Sequence, residues 1–172
     1  MIRKYYEQYQ RMIRCFDHLA PVVSAYYVGQ GPTTWDNELD LAYSFFMNAY
    51  HLKDWIKHDI NVPASARNAV ESHVNATRAL RLCADICNGF KHLTLTTTRS
   101  GENPTLRAGL SDGPAFKYLW FAVETDSGGT SVGELAADSI AAWQSFLLGN
   151  ALLSQSECKS YSPPTMRLPR YL

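Results

Sequence analysis

A chain of 172 residues, 46% hydrophobic and 19% charged, holds enough apolar surface for one ordinary globular core. Its 16 basic residues balance its 16 acidic ones, so no overall charge draws it to nucleic acid or an anionic membrane, and any such contact needs a local patch. Cys15, Cys83, Cys87 and Cys158 form no CxxC pair, no apolar run reaches membrane length, and the Tyr-, Arg- and Gln-rich start is unlike a signal segment, so the expectation is a reduced, cytoplasmic chain with no membrane partner.

Tyr5, Tyr9, Met12, Ile13, Phe16 and Leu19 recur at helical spacing and predict a first helix over about Ile2 to Ala20, which Pro21 ends or kinks. Val22 to Val28 either continues it or forms a short apolar connection before Gly29, Gly31 and Pro32 break the chain. Thr34 or Asp36 can cap a second helix running to about Asp59, with Leu41, Phe45, Ala49, Leu52 and Ile56 on one face. On another face, Asp40, Ser44, His51, Asp54 and His58 fall within about 80° around the axis. His51, Asp54 and His58 can offer a metal two imidazoles and a carboxylate, with His92 arriving from elsewhere. No HExxH or similarly dense motif supports that use, and Lys53 and Lys57 bracket the segment, so an ordinary exposed face is the plainer reading.

Ser65 can cap a long third helix to about Lys91, with Val70, Val74, Leu80, Cys83, Cys87 and Phe90 at buried positions and Gly89 suited to its end. Within it, Arg81, Asp85, Asn88 and His92 share a stripe roughly 60° wide, opposite Leu82, Cys83, Ile86, Cys87 and Phe90. One use of this polar end is a solvated helix terminus, where Lys91 and His92 meet the last carbonyls. Another is a site. If the second and third helices pack antiparallel, Asp40, Ser44 or His51 approaches Asn88, Lys91 and His92. His92 then has a general acid or base role near neutral pH, Lys91 stabilises phosphate charge, and Asn88 orients a ribose hydroxyl or phosphate oxygen. The candidate catalytic set is His92, Lys91, Asn88 and Asp54, with His51, Arg81 and Asp85 as substrate contacts and no cofactor implied.

After Lys91 the period changes. Leu93 to Thr98 is β-branched, 100–104 is a turn cluster, Thr105 to Leu110 can return, and Lys117 to Thr125 is a strand expected to pair with part of Leu93 to Leu110. Asp126 to Gly129 turns the chain into a fourth helix over Glu134 to Leu153, carrying Leu135, Ile140, Trp143, Phe146 and Leu147. The four tryptophans are spread one per element, as core aromatics usually are, and no GxSxG elbow, P-loop or dinucleotide fingerprint occurs. The fold class expected is α+β, mostly α: a four-helix bundle with a small antiparallel β insert between the third and fourth helices. Residues 1–153 form one domain in this reading, and Ser154 to Leu172, with Pro163, Pro164 and Pro169, forms an extended or mobile tail.

Three long helices, the NxxKH end of the third, an inserted β-hairpin and a fourth helix together resemble the HEPN superfamily of helical domains, over roughly Ile2 to Leu153. The segments YHLKDWI, Tyr50 to Ile56, and DICNGFKHL, Asp85 to Leu93, are also similar to those of a group of uncharacterised bacterial proteins placed near it. The resemblance implies a helical-bundle module of a bacterial defence or stress system, such as a toxin–antitoxin or antiphage pair. It would bind or cleave RNA or a nucleotide without metal, and partner a second copy or a cognate protein. The family motif is an arginine followed, four to six residues on, by a histidine near the end of the third helix. His92 matches the histidine, but Asp85, Ile86 and Cys87 stand where the arginine belongs, Asn88 is the nearest polar replacement, and Arg81 lies too far upstream. That departure leaves ribonuclease activity and a non-catalytic protein-interaction role both open, since lysine at Lys91 lacks the planar fork that arginine offers a phosphate.

Overall fold

The computed structural model describes residues 3–22, 26–27, 35–91, 96–112 and 117–159, with the side chains of 26–27, 91, 110–112 and 117–119 outside that description. The first apolar stripe forms helix α1, Lys4–Val22, which buries Tyr5, Tyr9, Met12, Ile13, Phe16 and Leu19 and carries Pro21 in its last turn. Its opening N–H groups find a carboxylate far along the chain: Asp59 Oδ2 accepts from Lys4 N at 2.8 Å and from Tyr5 N at 3.4 Å. Helix α2, Asp36–His58, buries Phe45, Phe46, Ala49, Leu52 and Ile56. Asp36 and Glu38 in its first turn and Lys57 and His58 in its last complement the helix dipole. Leu41, expected in the same stripe, is half-buried at its margin.

The expected third helix is two helices, α3 over Ala64–Ala76 and α4 over Arg78–Lys91. Thr77 separates them with extended backbone, φ −106° and ψ 112°. Its hydroxyl donates back to the His73 carbonyl at 2.9 Å, while its own carbonyl accepts the Arg81 N–H at 3.0 Å. Thr77 thus closes one helix and opens the next, the local competition with a continuous ladder that Thr side chains allow. Pro63, rather than Ser65, occupies the position before α3, where a missing N–H costs nothing.

Strand β1 is Tyr26–Tyr27, β2 Thr105–Asp112, β3 Lys117–Thr125 and β4 Gly128–Ser131. They form one antiparallel sheet with β3 flanked by β2 on one side and by β1 and β4 on the other. Thr105 stands opposite Glu124 and Leu110 opposite Leu119, so the expected pairing of these segments holds. Residues 96 and 97 are bends and 98 is irregular, none of them strand, and 92–95 lie outside the described residues. Phe121 and Val123 face the helices while Glu124 faces out. Opposite Trp120, Gly109 leaves room for the indole, since a Cβ there would stand 2.6 Å from the ring.

Helix α5, Val132–Gly149, starts on a reciprocal cap in which Ser131 Oγ accepts the Glu134 N–H at 3.0 Å and Glu134 Oε2 accepts the Ser131 N–H at 3.2 Å. It drives Trp143 and Leu147 into the core, and the Trp143 indole N–H donates to the Ala49 carbonyl of α2 at 2.9 Å. The five helices and the inner face of the sheet share one continuous apolar core. Residues 154–159, expected in a loose tail, instead fold back on α1: Glu157 pairs with Arg3 and Lys159 Nζ lies 2.7 Å from Asp17 Oδ2. The remaining tail, 160–172, lies outside the described residues. Among the described residues no helix is long and apolar enough to cross a membrane.

Candidate functional site

Two contacts set the register of α2 against α4. Cys87 Sγ lies 3.7 Å from His51 Nε2, and the Phe90 and Tyr43 rings lie 4.8 Å apart. As the number rises along α4 it falls along α2, so the helices run antiparallel, and the last turn of α4 heads towards Tyr43 and away from Asp54. Phe90, expected in the core, is 56% exposed at that end.

On α2, His51 Nδ1 lies 3.5 Å from Asp54 Oδ2, one turn on, and both side chains are half-exposed. Both ring nitrogens are satisfied when Nδ1–H donates to the carboxylate and Nε2 accepts from the Cys87 thiol. The other Asp54 oxygen, Oδ1, accepts from Lys53 Nζ at 2.7 Å. Burial works to raise the Asp54 carboxyl, but Lys53 and then His51 outweigh it and hold it below the ordinary carboxylate value. Burial likewise works to lower the Lys53 ammonium, and Asp54 overcomes it, so the pair stays charged.

Two further charges close the cluster. Glu71 on α3 accepts from Arg99 Nη2 at 2.8 Å through Oε1 and lies 3.8 Å from Lys53 Nζ through Oε2. The Tyr50 ring carries Lys53 Nζ at 4.8 Å and the Arg99 guanidinium at 5.7 Å from its centroid. Arg99 Nη1 is buried and has no hydrogen-bond partner among the described residues. The cluster is balanced in charge, two cations against two carboxylates, with a half-exposed imidazole at its edge.

Of the residues singled out in the sequence, His51 and Asp54 meet here. Asn88 is half-buried one position beyond Cys87, Lys91 ends α4 with its side chain outside the description, and His92 lies outside the described residues. Asp85, expected to contact substrate, is 1% exposed and fully engaged inside the protein. Its carboxylate accepts Arg99 N at 2.6 Å, Ser100 N at 2.7 Å and Ser100 Oγ at 2.5 Å, so it anchors the segment that delivers Arg99. Arg81, the other expected contact, donates through Nη1 to the Asn75 carbonyl at 2.8 Å and braces the break between α3 and α4. Asp40 is exposed and Ser44 half-buried. His58 borders a surface pocket with Lys4, Asp54, Trp55 and Asp59. Among the described residues no group of three or more His, Cys, Asp or Glu side chains is placed to hold a metal ion.

Sequence reasoning missed Lys53, Glu71 and Arg99 as members of this cluster. Lys53 read as a flanking charge, and Glu71 and Arg99 drew no reading, because their meeting depends on the α2/α3 packing and on the Asp85 anchor, neither of which has a local pattern. No family model, curated protein or solved structure matches the chain.

Proposed function

We propose that this chain is a HEPN-like helical-bundle module, with its sheet inserted before the last bundle helix, that binds RNA or a nucleotide without metal along α2 around His51. The observation that carries the reading is the half-exposed His51–Asp54 pair, with Lys53 bonded to Asp54 and Arg99 sharing the Tyr50 ring with Lys53 beside it. The guanidinium of the Arg99 side chain, which is 28% exposed, is a cation of the kind that suits a phosphate oxygen, and an aromatic ring beside it suits a base or ribose. Arg99 supplies a cation of the right kind from outside the motif position where the family arginine is absent. Its role in the cell, a defence or stress system with a cognate protein or a second copy as partner, rests on the resemblance alone.

Binding is favoured over cleavage because Asp54 and Glu71 already neutralise the two cations, so an arriving phosphate gains its hold from geometry more than from net charge. A metal-binding bundle through His51, Asp54, His58 and His92 has less support, since His51, Asp54 and His58 do not converge. The test is fluorescence anisotropy with short labelled RNAs of varied sequence and competing nucleotides in EDTA, run beside a gel assay for cleavage. Arg99→Ala should weaken binding about tenfold, the order expected for one charge-assisted contact. Where the wild type cleaves, His92→Ala should abolish it. Absence of binding to every RNA and nucleotide tried would overturn the reading in favour of a protein-interaction module.

A further inference from the structure

We infer that Cys87, with His51 and Asp54, forms a peroxide-reactive thiol site, in which the imidazole takes the thiol proton and the carboxylate holds the imidazole. The inference stands on the order of three side chains across two helices and is independent of the nucleotide reading. Cys87 Sγ faces His51 Nε2 at 3.7 Å, and His51 Nδ1 faces Asp54 Oδ2 at 3.5 Å. Thiol, base and orienting acid thus stand in the sequence that activates a sulfur nucleophile.

The other three thiols provide an internal contrast. Cys83 Sγ lies 3.2 Å from the Ser139 hydroxyl, Cys15 accepts from the Asn48 amide at 3.5 Å, and Cys158 donates to the Ser154 carbonyl at 3.6 Å. None of those partners can accept and keep a proton near neutral pH. Among the described residues, Cys87 is therefore the thiol paired with a base.

Cys87 is 0% exposed, whereas the His51 side chain is 36% exposed and covers it. The inferred reaction therefore needs a local opening beside His51 that admits an oxidant of about the size of water. In the reaction, the thiol proton passes to His51 Nε2 and the thiolate attacks one oxygen of hydrogen peroxide. The S–O bond forms, the O–O bond breaks, and the leaving hydroxide takes the proton back from the imidazolium, giving Cys87 sulfenic acid and water.

The test treats the reduced, full-length chain with a small excess of hydrogen peroxide, traps sulfenic acid with dimedone after oxidation, and reads each cysteine by peptide mass. Cys87 is expected to be oxidised ahead of Cys15 and Cys158. His51→Gln keeps a hydrogen-bonding partner but cannot hold the proton, so it should slow Cys87 by about tenfold and leave Cys15 and Cys158 unchanged. The wild-type chain in urea gives a second measure that needs no variant, because the lead of Cys87 should vanish when the helices separate. Oxidation of Cys15 or Cys158 ahead of Cys87 in the native chain would overturn the inference. An undiminished Cys87 rate in His51→Gln, or an undiminished lead in urea, would do the same.

Discussion

The Asp85 carboxylate, a buried group of α4, accepts the backbone N–H of Arg99 at 2.6 Å, and this contact sets the position from which the Arg99 guanidinium reaches Tyr50 and Glu71. An acidic residue in the middle of a helix thereby fixes the loop that follows the same helix. The carboxylate is stable there because two N–H groups and a hydroxyl replace the water it has lost.

Asp85→Ala should therefore destabilise the chain by about 2–4 kcal/mol, since it strips two part-buried N–H groups of their acceptor as well as removing charge-assisted bonds. Asp85→Asn, which keeps one acceptor oxygen, should cost about half as much by the same accounting. Urea unfolding followed by circular dichroism measures both, and an unchanged midpoint for Asp85→Ala would remove the anchor role.

A second prediction concerns the sheet. Gly109→Ala puts a Cβ 2.6 Å from the Trp120 ring, so the indole must swing away from β2. The expected loss is about 1–2 kcal/mol, the usual range for overpacking at a site that can partly relax. In a Trp120→Ala background the same change should cost far less, because its obstacle is gone. A double-mutant cycle in urea checks this, and equal costs in both backgrounds would show that the indole is not the obstacle.

The apolar stripes were legible because helical period is local: Phe45, Leu52 and Ile56 on α2 and Leu80, Cys83 and Cys87 on α4 are buried as their spacing predicts. The long strand at Lys117–Thr125 was legible for the same reason, from β-branched and aromatic content between turn residues. The break at Thr77 was hidden, because a threonine inside an otherwise periodic run leaves no mark in the pattern and acts through its hydroxyl on His73. The site was half legible. His51 and Asp54 share a face one turn apart and could be read together, whereas Glu71 and Arg99 join them only through tertiary packing. Asp85 misled because a polar stripe on a helix reads as solvent-facing, and nothing local reveals that a later loop folds over it.

His73 gives a prediction in pH. Its ring packs between α3 and α5, 4.8 Å from the Phe146 centroid and 5.8 Å from that of Trp143, and Nε2 lies 3.1 Å from the Ala142 carbonyl. Burial holds its pKa below the ordinary 6.5, and the Ala142 carbonyl only partly opposes this. A histidine whose folded pKa is depressed stabilises the fold fully above its unfolded value and loses that contribution as pH falls through 6.5 towards the folded value. Melting temperature should decline on acidification below 6.5, and His73→Gln, which has no proton to take up there, should flatten that part of the curve. Parallel wild-type and variant curves between neutral and mildly acidic pH would place the proton uptake elsewhere.

Asp59 joins the end of α2 to the start of α1. It is buried and accepts the Lys4, Tyr5 and Asn61 N–H groups, so it caps a helix that begins 55 residues earlier in the chain. Burial works to raise its carboxyl, but the N–H groups of Asn61, Tyr5 and Lys4 outweigh it and hold it below 3.8. Replacing it with alanine should cost about 1–2 kcal/mol, the range for a lost N-cap, and loosen the first turn of α1. Asn supplies an acceptor without the charge, so Asp59→Asn should fall between alanine and the wild type at neutral pH. The sign in pH follows from the depressed value. The charge contribution is full above 3.8 and is lost as pH falls towards the folded pKa, so the gap between wild type and Asp59→Asn should narrow under acid. Urea midpoints of the two proteins at neutral pH and in acid measure the gap, and a gap that stays constant or widens on acidification would show that the cap does not depend on the carboxylate charge.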